Sequence, residues 1–196
     1  MYRRDAKIIS LFAAESPENT FLVGRFVYMT INQYFERLPK HIQTAGTLLP
    51  GKVHHLSRNA KIGIQSWWDH RHAIYDVVHS DRTEAEKISF LTTLHGLGII
   101  KSAFVIQLTS YGSTVGCLDR HHLHAIGLNR HTFTRLPRLA LQRATRILDY
   151  VALCALQGGG EALWNTWCTL LSKKRPKSFP TPDAVSRLHV DLILPN

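Results

Sequence analysis

The sequence predicts an all-α protein, and three observations predict it. Apolar residues recur at helical spacing in segment after segment, no stretch alternates apolar and polar residues like a half-buried strand, and helix-start signals precede several of the runs. At 196 residues with 44% apolar side chains, the chain has enough material for a real core and is not a disordered polymer. It reads as a single domain over 1–196, with room for two helical subdomains around a central element at 84–126. No internal repeat is visible.

Taken in order, Asp5 to Ala14 predicts a short first helix. Ser16-Pro17 starts the next, with Ser as cap and Pro in the first turn. Phe21, Leu22, Phe26, Met29 and Phe35 space as one buried face, and Pro39 ends this helix near Leu38. Residues 46–55, with Gly46, Pro50 and Gly51, read as a connection. A long helix is expected from Ser57 to about Val78, where Ser80-Asp81-Arg82 breaks it. Thr83-x-x-Glu86 is a capping box for a helix from Glu84 to Leu94.

A two-glycine turn then leads into Ile99–Tyr111, which is apolar on most sides and therefore expected at the centre. Gly112–Gly116 is a loop, and Asp119 stands where it would cap a helix running to about Ile126. Pro137 is expected to open a long helix with Leu139, Ile147, Leu148, Val151, Leu153 and Leu156 facing inward. Gly158-Gly159-Gly160 stops it. Glu161–Ser172 is a further helix carrying Trp164 and Trp167. Residues 173–184 form a basic, solvated tail, after which Val185–Leu194 is expected to pack back.

Charge narrows the function classes. A formal net charge of +10 favours a polyanionic partner over acidic or neutral small substrates. Three widely spaced cysteines, Cys117, Cys154 and Cys168, suggest reduced thiols and a cytoplasmic setting, and they cannot supply a four-cysteine cluster. No run approaches 18 uncharged apolar residues, so no membrane partner is expected. The apolar run after Arg3-Arg4 is too short and too interrupted for a secretion signal.

Residues 94–119 carry most of the functional signal. A glycine hairpin between two helices turns the second helix's free N–H groups outward, which makes an anion site. Amides around Leu97, Gly98 and Ile100 would hold a phosphate, with Gly96 and Gly98 allowing close approach. The plainer reading is a simple turn between helices. Asp119 is a candidate catalytic carboxylate and equally a good helix cap; one residue can be both.

Leu94, Gly96, Gly98, Ala103, Leu118, Asp119 and His121, in that arrangement, resemble the helix-hairpin-helix DNA glycosylase superfamily. The resemblance implies a glycosylase-like helical bundle that binds double-stranded DNA, extrudes a base and acts on it through Asp119. The match departs from repair enzymes in several places. His95 stands where the family has Pro, Ile100 stands where a small residue or Lys is usual, and no iron–sulphur loop is present.

The His-Gly-Leu-Gly turn at 95–98, the following Lys101, Phe104-Val105-Ile106-Gln107 and Gly116-Cys117-Leu118-Asp119 are more similar to a phage branch. That branch comprises the amino acid:DNA transferases of thymine hypermodification, the alpha-glutamyl/putrescinyl thymine pyrophosphorylase-like proteins. The likeness implies transfer of a free amino acid onto pyrophosphate-activated 5-hydroxymethyluracil in DNA, in the host cytoplasm. The rival expectations are a base-excision glycosylase with AP lyase activity and a non-catalytic helix-hairpin-helix DNA-binding module.

Other residues have roles weighed against blander ones. Lys101 could form an imine, neutralise a phosphate or departing pyrophosphate, or be a solvated lysine. Counted from the hairpin it sits one position late, which at about 100° per residue turns it off a lyase-type lysine's place. Gln107 could read a base edge or be a polar core residue. Trp68, Arg71 and Tyr75 share a helical face suited to stacking on a flipped base, although the Trp67-Trp68 pair equally suits a core. His121 joins that pocket group. His121, His122, His124 and Asp119 have the donor atoms of a metal site, but helical spacing turns His122 away from His121 and His124, and a phosphate-facing or solvated cluster is favoured over zinc. Magnesium on a pyrophosphate would need only one carboxylate and waters. Arg135, Arg138 and Arg146 are placed to track a DNA backbone or to be ordinary surface arginines.

Overall fold

A computed structural model of the chain describes residues 16–29, 57–110 and 112–174, and of residues 167–174 it describes the backbone course alone. The expected first helix at 5–14, the second helix beyond Met29, the connection at 46–55 and everything after Lys174 lie outside the described residues. Among those described are eight α-helices and no strand, so the chain is all-α there.

The first helix, α1 (Pro17–Met29), starts as the sequence indicates, with Ser16 Oγ accepting from the Asn19 amide at 3.2 Å. It buries Phe21, Val23, Val27 and Tyr28 completely or nearly so. The expected long helix is two: α2 (Arg58–Asp69) and α3 (Arg71–Val78), parted at His70 with φ −107° and ψ 15°. The break has a local cause. The His70 amide is shared between the Ser66 and Trp67 carbonyls, and its ring Nδ1 lies 2.8 Å from the Ser66 carbonyl as well. A side chain competing for the helix's own acceptors ends the regular ladder.

Helix α4 (Glu84–Leu91) carries the full capping box between Thr83 and Glu86. It stops three residues before the expected Leu94 because the hydroxyls of Thr92 and Thr93 donate to the carbonyls of Ser89 and Phe90, both at 2.7 Å. Helix α5 (Ile99–Thr109) is central as expected, with every residue from Ser102 to Thr109 buried. It packs against α1 and α4, while α1 also lies on α2 and α3. Helix α6 (Arg120–Ala125) is short and capped by Asp119.

Helix α7 (Ala140–Leu156) begins three residues after Pro137, which belongs instead to the loop before it. Its inward stripe is Ile147, Tyr150 and Cys154, with Val151 and Leu153 at the margin. Leu139, Leu148 and Leu156, expected inside, are 64%, 59% and 81% exposed. The sequence puts leucines on both faces of α7, and the core takes the face bearing Tyr150. The last helix, α8 (Gly159–Lys174), already includes two of the three glycines that were expected to form the break. The turn itself needs Gly158, at φ +88°. Gly160 is required by packing: a Cβ there would lie 2.8 Å from the Val115 carbonyl. Helix α8 rests on α7 and α6, and α4 joins this group to α5 by touching α7.

Candidate nucleic-acid interface and its carboxylate

Between α4 and α5 the chain folds back through turns, with the Leu97 amide donating to the Leu94 carbonyl at 3.2 Å. Gly96 sits at φ +82°, where other residues are strained. Leu97 turns its side chain inward and is 3% exposed. Gly98 caps α5 from extended backbone and no side chain caps the helix. The first-turn amides of Ile99, Ile100 and Lys101 therefore lack an intrahelical acceptor at the positive end of the helix dipole. Gly98 is required neither by its φ of −101° nor by packing, since a Cβ there would meet nothing within 4 Å. Open space at the head of a helix suits a closely approaching anion.

Asp119 sits at the head of α6. Its Oδ1 accepts from the amides of His121 at 2.8 Å and His122 at 3.1 Å, and from His122 Nδ1 at 3.1 Å. The side chain is 25% exposed, against 2% for His122. Burial acts to raise the pKa of Asp119, but the His122 side chain and the two backbone amides outweigh it and hold the carboxyl down to about 2. His122 reaches on with Nε2 to the Leu163 carbonyl of α8 at 2.9 Å, tying α6 to that helix.

Cys117 stands two residues before Asp119. Burial pushes that thiol up to about 12, while the charge of Lys101 draws it down and that of Asp119 adds to the rise. The ammonium of Lys101 also lies 5.3 Å from the Phe104 ring centroid.

Comparison with protein-family models, curated proteins and solved structures finds no match to this chain.

The other candidate residues fall into three groups. Gln107 is 1% exposed; its Nε2 donates to the Gly160 carbonyl at 2.7 Å and its Oε1 accepts from the Cys117 amide at 3.0 Å. Its amide braces the loop before Asp119 against α8, so the blander of its two readings describes it. The helix breaks between Trp68 and Arg71, yet the two remain in contact across the break. Arg71 lies 4.4 Å over the Trp68 ring and also pairs with Glu18 at 3.0 Å, joining α3 to α1. Tyr75 leans on His79 at 4.6 Å between ring centroids. Trp67 is wholly buried.

His121 is half-buried and His124 exposed, while His122 goes inward. Among the described residues no group of three His, Cys, Asp or Glu is gathered as metal ligands. Sequence spacing turns His122 away from its neighbouring histidines and gives it no site role. The signal is nonetheless present in the spacing, since a residue three after a cap lies over the capping side chain.

The basic segment before α7 is an irregular loop held by its own pins. Phe133 is buried edge-on against Tyr150, with ring centroids 5.0 Å apart. Arg143 Nε donates to the Pro137 carbonyl at 3.3 Å, and Arg146 donates to the Thr132 carbonyl while lying over Phe133. Arg146 is therefore a half-buried brace and not an open backbone contact. Arg130, His131, Arg135 and Arg138 are left exposed on a fixed loop. No helix of the described residues is long and apolar enough to cross a membrane.

Proposed function

We propose that the chain is a DNA base-modifying enzyme with a glycosylase-like helical bundle, gripping duplex DNA at the 96–100 hairpin and acting on an extruded base beside Asp119. The observation that carries this reading is the hairpin-headed N-terminus of α5, open beside Gly98, in the same chain as a carboxylate held ionised at the head of α6. The basic loop bearing Arg135 and Arg138 and the net charge of +10 support a nucleic-acid partner.

In its specific form the reaction is transfer of an amino acid onto pyrophosphate-activated 5-hydroxymethyluracil, the activity implied by the sequence resemblance. The amine attacks the exocyclic methylene carbon, a C–N bond forms as the C–O bond to pyrophosphate breaks, and the new ammonium loses a proton. A carboxylate with a pKa near 2 is a poor base but a good partner for a cationic amine. Lys101 offers a positive charge to the departing pyrophosphate.

The deciding experiment incubates the protein with duplex DNA containing pyrophosphorylated 5-hydroxymethyluracil and mixed amino acids, then digests the DNA to nucleosides. A new nucleoside adduct with released pyrophosphate supports the transferase; neither product removes it. A base-excision glycosylase is the second reading, because the same permanently ionised carboxylate would stabilise a cationic sugar. Abasic sites or nicks in damaged duplexes would favour it.

A further inference from the structure

We propose that His122 is a positioning residue for Asp119, occupying one carboxylate oxygen so that Oδ2 alone is presented to the substrate. The inference rests on the reading that Asp119 faces substrate, and it names the kind of group that site accepts. Oδ1 takes three N–H donors, from the His121 and His122 amides and the His122 ring. Among the described residues no donor is seen on Oδ2, and the carboxyl is a quarter exposed where the imidazole is buried.

The orientation of the ring is fixed from outside its own helix. Nε2 lies 2.9 Å from the carbonyl of Leu163 on α8, a group that can only accept. Nδ1 faces an oxygen already accepting two amides. The ring is thus held between two acceptors, the Asp119 carboxylate on its own helix and the Leu163 carbonyl on α8. Lys101 of α5 and Asp119 both bear electrostatically on the Cys117 thiol. Tyr150 of α7 is turned to the Gly116 carbonyl at 2.6 Å.

A carboxylate held in this way has one oxygen to offer, no proton to give and little tendency to take one. It selects a group that brings its own N–H or positive charge, such as an ammonium, over one that must be deprotonated. His122 thereby biases the site toward binding a cationic or N–H-bearing partner through Oδ2.

Two NMR measurements on the full chain test this without requiring any enzymatic product. Labelled with 15N-histidine, the His122 ring is expected to carry hydrogen on Nδ1, the nitrogen that faces Asp119 Oδ1. A ring with Nδ1 bare overturns the proposal. The Asp119 carboxyl, followed by 13C, is expected to titrate near 2 in the wild type and to move up by about one unit or more, toward 3.8, in folded His122→Gln. An unmoved midpoint in a folded variant overturns it. Should that variant not fold, the wild-type ring spectrum decides alone. If both spectra are as expected while the nucleoside assay finds no product, the hold of His122 on Asp119 Oδ1 stands and the enzyme reading falls.

Discussion

The hydroxyl of Tyr28 in α1 donates to the carbonyl of His95 at 2.7 Å, joining residues 67 positions apart. His95 precedes the first hairpin glycine, so a helix far away in sequence holds the entrance of the turn. Gly63 of α2 lies beneath the same contact. A Cβ at 63 would meet the Tyr28 ring and would lie 2.5 Å from the His95 carbonyl, which is backbone and cannot swing aside. The anion-site geometry therefore depends on three helices and not on its own four residues.

Gly63→Ala tests that dependence. Overpacking against backbone is expected to cost about 1–3 kcal/mol in urea unfolding. It should also weaken duplex binding more than Tyr28→Phe, which removes only the hydrogen bond, at about 0.5–1.5 kcal/mol. Equal stability of Gly63→Ala and the wild type would show that the helices do not press on the hairpin.

Much of this layout is legible in local sequence chemistry, because caps and turns are decided within four residues. Ser16, Thr83-x-x-Glu86 and Asp119 each start the helix their side chains indicate. What local pattern cannot decide is which of two apolar faces the rest of the chain will cover. Leu148 and Ile147 are adjacent and alike in hydrophobicity, yet Ile147 is 2% exposed and Leu148 59%. The choice follows from Tyr150, whose hydroxyl accepts from the Leu118 amide and donates to the Gly116 carbonyl. Likewise nothing near Gln107 in sequence indicates that its amide would bridge positions 117 and 160. The break at His70 is hidden from the sequence because its side chain interrupts a helix that every propensity around it continues.

Asp119 makes stability depend on acid pH. Its folded pKa of about 2 lies below its ordinary 3.8, so its contribution is fully present above 3.8 and is lost as pH falls through that value to about 2. A shift of this size corresponds to about 2 kcal/mol. Asp119→Asn keeps a cap oxygen but removes the charge, so it should be less stable than the wild type at pH 7. The gap should close below pH 2 in denaturant melts. A gap that persists unchanged into strong acid would mean that the carboxylate's charge contributes nothing to folding.

The two kinds of arginine around the basic loop should separate cleanly. Arg135→Gln and Arg138→Gln alter exposed cations, so each is expected to lower the slope of log binding constant against log salt by about 1 for duplex DNA, with little change in stability. Arg146→Gln instead withdraws the brace on the Thr132 carbonyl and the cation over Phe133, and should lower the melting temperature. Anisotropy titrations at several salt concentrations, paired with thermal melts, distinguish the two. An unchanged slope in the Arg135 and Arg138 double variant would exclude this loop from the DNA contact.

Gln107 separates a base-reading role from a bracing one. Its Nε2 donates to Gly160 and its Oε1 accepts from Cys117, so a leucine of similar size takes the acceptor from the Cys117 amide and the side-chain donor from the Gly160 carbonyl. An orphaned amide costs about 1–3 kcal/mol, which predicts a large loss of stability for Gln107→Leu. Gln107→Glu retains an acceptor for the Cys117 amide but turns a carboxylate oxygen toward the Gly160 carbonyl, so it too should be destabilised. Because the loop from 113 to 118 carries the chain to Asp119, losing the brace loosens the approach to that carboxylate. Any modifying activity should then fall for every base tested alike. A base-edge contact predicts the opposite pattern, a stable protein with altered base preference, and unfolding curves run beside the nucleoside assay tell the two apart.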